Sequence, residues 1–221
     1  MTPKPQPRTR SARRAPRRPL ARIRQPEILA TTVELLREQG LWSVRVSDVA
    51  ERAGTSPAGV IYYFGTKDEL FKAAIADADA TFYATVWPEL DRLESAAERL
   101  AWLLVRSSRS DWVLWMDLWV YSRRHPELLE TQRGFAERWT GTIADVVRHG
   151  QERGEFGSGD ADELAVRLAA VTEGLAVHMV LEDPGRTPEH YVETSLAAAA
   201  AELGADLDAL RRAASAVPEG S

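Results

Sequence analysis

Two groups of residues have side chains and spacings suited to chemistry. In the first, Thr55, Ser56, Ala58 and Gly59 run ahead of Tyr62, Tyr63 and Lys67. Small and short polar residues let a backbone come close to another surface. The tyrosines and the lysine, a turn later, add hydroxyl donors, rings and a positive charge. A short helix that enters the major groove of double-stranded DNA needs this make-up, with its first residues against base edges and phosphate oxygens. Adjacent helical residues point about 100° apart, so Tyr62 and Tyr63 cannot both turn into a core. Lys67 falls in the first turn of a further helix, where the helix dipole disfavours a cation and free amides attract an anion, so a phosphate partner suits it. Arg45 is read as a phosphate contact, with an ordinary surface ion pair as the alternative.

The second group is Trp112, Trp115 and Trp119, whose i, i+3, i+7 spacing puts three indoles on one helix face. Asp117 is the only charge between Asp111 and Arg123. With Phe82, Tyr83, Trp102, Phe135 and Trp139, these indoles have the material for an aromatic pocket. An aromatic wall beside a carboxylate is what a cationic ligand requires. Glu173 stands in the apolar run 164–181 and is read the same way. The expected ligand contacts are therefore Phe82, Trp112, Trp115, Asp117, Trp119 and Glu173, and the expected effector is a cationic or amphipathic organic molecule. The alternative is a tryptophan-rich core in which Asp117 pairs with Arg109 or Arg124. For Glu173 and His178 the dimer seam is a second location.

Helices must position these groups, because apolar residues recur at helical spacing and no strand alternation appears. The spacing predicts helices over 26–39, 46–53, 57–63, 66–86, 88–107, 111–124, 126–153, 161–181 and 188–203. Gly40, Gly54 and Gly65 punctuate the first three, and Thr66 caps the fourth. Pro88 is expected to end or kink the fourth. The predicted fold is all-α, with a short three-helix N-terminal domain containing a helix-turn-helix and a larger helical bundle. The expected division is a basic arm over 1–24, a DNA-binding domain over 25–70, a ligand-binding and dimerisation domain over 71–204, and a frayed Ala-rich tail over 205–221. The dimer expectation rests on the small residues Ala169, Ala170, Gly174, Ala197, Ala198 and Ala199, which permit close helix approach. An Ala-rich surface helix is the alternative.

Charge is distributed unevenly. The 221-residue chain has a formal net charge of -5, yet residues 1–24 hold nine basic side chains and no acid. Such an arm suits non-specific phosphate contact, or it is a solvated tail. Zero cysteines exclude disulfides and thiolate metal sites. No secretory signal or membrane-length apolar run appears, so a cytoplasmic protein without membrane contact is expected. Phosphate loops, nucleophile elbows and zinc signatures are missing, so neither catalysis nor a cofactor or metal is expected. A ligand-independent architectural DNA binder and a helical enzyme are the rival readings.

The stretch Val49-Ala50-Glu51-Arg52-Ala53-Gly54-Thr55-Ser56, followed by Tyr62-Tyr63-Phe64-Gly65-Thr66-Lys67-Asp68-Glu69-Leu70, resembles the N-terminal domain of the TetR family of bacterial regulators. The resemblance covers about residues 25–72. It implies a homodimeric transcriptional regulator, a repressor released from operator DNA by a small-molecule effector, with Phe64 locking the recognition helix into its domain. Two positions depart from the family pattern: Ile61 stands where a tyrosine is common, and Arg45 where a threonine is common. The three tryptophans, followed by Arg124-His125-Pro126-Glu127-Leu128, resemble the choline-repressor branch.

Overall fold

The computed structural model describes residues 25–218, and in that span the chain forms ten α-helices. The head comprises α1 (Gln25–Gln39), α2 (Val46–Arg52) and α3 (Pro57–Phe64). Next come α4 (Lys67–Arg92), α5 (Ala96–Ser108), α6 (Trp112–Ser122), α7 (Pro126–Glu152), α8 (Ala161–Val180), α9 (Pro188–Leu203) and α10 (Leu207–Ser215). Local chemistry fixes the starts. Ser56, Thr66, Ser95, Asp160 and Thr187 each accept a backbone N–H from the first turn of the helix they precede.

Two cores hold the molecule together. The head core joins Ile28, Leu35 and Leu36 of α1 to Val49, Val60, Leu70, Phe71 and Ile75, and it also contains Leu114, Leu118 and Tyr121 of α6. The body core joins Tyr83, Val86 and Leu90 of α4 to residues of α5, α7, α8, α9 and α10. Helix α4 thus contributes to both cores along its 26 residues, about 39 Å at the usual rise. A smaller cluster of Trp112, Ala176 and Tyr191 packs α6 on α8 and α9. There the Tyr191 hydroxyl lies 2.7 Å from Ser107 Oγ, and Trp112 Nε1 donates to the Ser107 carbonyl at 2.8 Å.

Two sequence expectations are corrected. Pro88 does not end α4, which continues to Arg92. A proline forfeits one helical N–H, and both Pro88 and Ala84, whose carbonyl loses that donor, are exposed to water. Val86 and Leu90 on the other face are buried and anchor the helix on both sides of the proline. Residues 205–218 are not a frayed tail. Gly204 ends α9 with φ 61°, Asp206 caps α10 through the Asp208 N–H, and fully buried Leu210 sits in the body core. Leu207, Leu210, Ala213, Ala214 and Val217 give one apolar face, which packs towards α5. Replacing Leu210 by Ala is expected to destabilise the body by about 2–4 kcal/mol. Urea unfolding followed by circular dichroism measures this, and a change within error of zero would show that α10 is not part of the core.

Candidate functional site

The head displays α3 outward. Tyr62 is 83% exposed and Tyr63 45% exposed, with their rings edge-on at 5.4 Å. Ile61 shares this exposed surface, and Val60 is the buried residue of the helix. Phe64 is half-buried against the head core. Ser56 is exposed and accepts the Gly59 N–H at 3.1 Å, so its hydroxyl both starts the helix and keeps a proton to donate outward. Gly59 has a structural role as well. A Cβ there would stand 2.8 Å from Thr55 Oγ1 and 3.3 Å from Ser56 Oγ, so a larger residue would require these hydroxyls to shift.

Arg45 is exposed at the start of α2. Lys67 is half-buried, with Nζ 4.9 Å above the Phe71 ring. Burial lowers the Lys67 pKa. Asp68 and Asp48 pull it up, and Arg45 pushes it further down. The arrangement therefore gathers Thr55, Ser56, Gly59, Tyr62 and Tyr63 at one helix, with Arg45 and Lys67 coupled electrostatically beside it. The expected basic arm, residues 1–24, lies outside the described residues.

A cavity of about 710 Å³ opens in the body between α4, α5, α6, α7 and α8. Phe82, Trp112, Trp115, Trp119 and Glu173 all line it, together with Tyr83, Phe135 and Trp139. Its walls are built from edge-to-face ring pairs, Trp112 with Trp119 at 6.4 Å and Trp115 with Phe135 at 5.6 Å. Three carboxylates reach the wall. Asp79 accepts from Arg138 Nη1 at 2.7 Å, yet burial raises its pKa by more than the guanidinium lowers it. Asp111 accepts from Arg37 Nε at 2.7 Å. Glu173 has no ion-pair partner among the described residues, and burial pushes its carboxyl above the usual range.

Asp117 is not part of this cavity, which corrects the sequence reading. It accepts the backbone N–H of Leu41 at 3.1 Å and lies over Gly40. The pairing with Arg109 or Arg124 is not formed either, and Arg109 instead donates to the Pro218 carbonyl. Gly40 sits at φ 77°, and a Cβ there would come within 2.8 Å of Asp117 Oδ2, so glycine is required twice over. The helical spacing was the warning. Asp117 lies two residues from both Trp115 and Trp119, about 200° around the helix from each, and so faces away from their side.

Sequence reasoning also missed a latch between head and body. The Tyr121 hydroxyl donates to Asp68 Oδ1 at 2.8 Å, and His125 Nδ1 lies 3.2 Å from Asp68 Oδ2. The Tyr121 and His125 rings stack at 3.8 Å, and Trp42 packs on Tyr121 at 4.8 Å. Burial pushes the Asp68 carboxyl up, but contacts from Tyr121, Glu127 and His125 outweigh it and hold the group below its ordinary value. Asp68, His125 and Glu127 bring donor atoms within 4.8 Å of one another, the one such cluster with metal-ligand character among the described residues. Asp68 and His125 lie within hydrogen-bond distance there, so the cluster ties the start of α4 to the residues that follow α6.

An outward recognition helix on a small head, latched to a body with an aromatic-walled cavity, defines a ligand-responsive DNA-binding regulator. Comparison with known proteins gives the family. Residues 28–74 match the model for bacterial regulatory proteins of the tetR family, and residues 89–204 match the C-terminal model for BetI-type transcriptional repressors. The chain is 25% identical over 167 residues to the HTH-type transcriptional regulator BetI of Escherichia coli K12, covering 72% of this chain and 83% of that one. Among solved structures, a transcriptional regulator from Saccharomonospora viridis in complex with choline is 30% identical, with a TM-score of 0.73 over 77% of this chain and 92% of that one. A TetR transcription regulator from Haloarcula marismortui shares the fold at 24% identity, with a TM-score of 0.70 over 81% of this chain and 97% of that one. The chain belongs to the TetR family of bacterial transcriptional regulators. It is a DNA-binding repressor of the ligand-responsive kind and not an enzyme. No helix among the described residues is long and apolar enough to cross a membrane.

With the Tyr63 ring 45% exposed, Tyr63→Ala leaves the head core intact. It is expected to weaken binding to an operator recovered by in-vitro selection by about 1–3 kcal/mol. Fluorescence anisotropy at fixed salt measures this, and wild-type affinity would remove Tyr63 from the interface.

Proposed function

We propose that the protein is a homodimeric repressor whose effector is a small organic cation of the quaternary ammonium class, held among the tryptophans of the body cavity. Glu173 carries this reading. It is a half-buried carboxylate with no ion-pair partner among the described residues, on the wall of a cavity built mostly from aromatic rings. An onium group satisfies such a site without needing hydrogen-bond donors, because ring faces attract it and a carboxylate neutralises it. The choline bound by the Saccharomonospora viridis relative has this chemistry. The contacts proposed are Phe82, Trp112, Trp115, Trp119 and Glu173.

On the DNA side, Thr55, Ser56, Gly59, Tyr62 and Tyr63 are proposed to meet the major groove, and Arg45 and Lys67 the phosphates. One head makes few base contacts, so two copies must bind half-sites about 34–36 Å apart. For the dimer contact, α8 carries Val166, Ala170, Gly174 and Val177 in a single exposed row that continues to Leu181. Of the small residues expected at the seam, Ala169 and Ala199 belong to the body core instead, and Ala170, Gly174 and Ala197 are exposed. Residues 1–24 add charge that tracks phosphates irrespective of sequence.

The test is calorimetry with choline across pH. The Glu173 pKa is raised, so the carboxyl ionises only above its ordinary value of 4.5. Choline affinity should therefore rise with pH through a midpoint above 4.5 and level off once the group is charged. Glu173→Gln should lose roughly tenfold in affinity at neutral pH, about 1.4 kcal/mol, and should lose that part of the pH profile. Asp79 titrates in both proteins, so the difference between them reports Glu173. Equal affinities and equal profiles would remove Glu173 from the ligand site.

A further inference from the structure

Asp111 takes part in three structures at once. It lines the cavity, its Oδ1 accepts the Leu114 N–H at 3.4 Å as the cap of α6, and its Oδ2 accepts Arg37 Nε at 2.7 Å. Arg37 belongs to the last turn of α1. It is the one residue of the head that lines the cavity, among the described residues. The polar ties of Asp117 to Leu41 and of Tyr121 and His125 to Asp68 involve no cavity-lining residue. Leu118 also lines the cavity and packs in the head core, but the Arg37–Asp111 pair is a polar contact by which a cavity-lining carboxylate reaches the DNA-binding head.

The two partners are unequal in what they can give up. Asp111 is fixed by its cap and by the buried indole of Trp112 next to it, whereas the Arg37 side chain is half exposed. A guanidinium at this position gives the carboxylate the positive charge that an organic cation would otherwise supply. Asp111 has room for two donors, but a second cation brought to it meets the charge of Arg37 as well as that of the carboxylate, so the two compete. A cation seated against the Trp112 ring also brings a like charge towards Arg37.

We infer that Arg37 is a built-in competitor of the effector: it occupies Asp111 in the ligand-free, DNA-competent protein, and an organic cation in the cavity displaces it, releasing the end of α1 from α6. This rests on the cationic reading of the cavity. Linkage gives the consequence its sign. If binding must break the pair, removing Arg37 removes a cost to binding, and it removes the same part of the ligand's effect on DNA.

The experiment compares full-length wild type, Arg37→Gln and Arg37→Lys, each checked by circular dichroism. Choline affinity is measured by calorimetry, and affinity for a selected operator by anisotropy with and without choline, with sodium chloride as the ionic control. Arg37→Gln should bind choline about 2–5-fold more tightly, the range an exposed ion pair can supply. Its operator affinity should change less on adding choline than that of wild type. Arg37→Lys keeps the charge and should bind choline as wild type does. If Arg37→Gln binds choline no more tightly, or is released from operator as fully as wild type, the inference is overturned and the cationic reading stands. If wild type itself binds no choline, the cationic reading falls and takes the inference with it.

Discussion

Helix α6 belongs to two places at once, and the rest of the molecule is arranged around that constraint. Its Leu114, Leu118 and Tyr121 are buried in the head core, while Trp112, Trp115 and Trp119 line the cavity of the body. Within its eleven residues the helix presents both a surface that lines the cavity and a surface that holds the DNA-binding head. Interiors packed at crystal-like density do not deform smoothly, so a ligand that moves the indoles must move the leucines or open a void beneath them. A ligand shifts the head only by its preference for the displaced arrangement. A wall made of α6 side chains is where such a preference can be expressed.

Polar contacts give this apolar coupling its register. Asp111 reaches Arg37, Asp117 reaches the Leu41 amide and Tyr121 reaches Asp68, so α6 is tied to the end of α1, the turn after it and the start of α4. They differ in strength: the exposed Arg37–Asp111 pair contributes at most about 1 kcal/mol, whereas hydrogen bonds to a charged group contribute roughly 1.5–3 kcal/mol. Their value lies in direction: all three are lost together if α6 slides along its axis. Helix α4 completes the frame, because it begins directly after the recognition helix and runs unbroken through both cores.

Much of this was legible in the sequence, and the failures have physical causes. The head was readable because short helices must declare their ends chemically, through Gly40, Gly54, Ser56-Pro57, Gly65 and Thr66. The tryptophan face was readable because helical spacing alone puts Trp112, Trp115 and Trp119 together. Asp117 was misassigned because proximity in sequence was allowed to outweigh the helical angle, which turns it away from those tryptophans towards Gly40. Leu210 was overlooked because two leucines among alanines and charged residues make a weak pattern, although its neighbours at i-3, i+3 and i+7 complete a face. Pro88 was overread, since a helix anchored by Val86 and Leu90 tolerates one missing donor on its wet side. The Asp68–Tyr121–His125 latch joins residues more than fifty positions apart, and no local pattern announces it.

The central claim is that filling the cavity repositions the heads through α6. The sequence contains no cysteine, so a single Glu51→Cys substitution on exposed α2 can be spin-labelled without background. Pulsed electron–electron resonance on the labelled dimer, with and without saturating choline, reads the head-to-head distance directly. The account predicts a ligand-free distribution that narrows on adding operator DNA, and a displaced distribution when choline is bound. Identical distributions in the two ligand states, with choline binding verified by calorimetry on the same labelled sample, would contradict it.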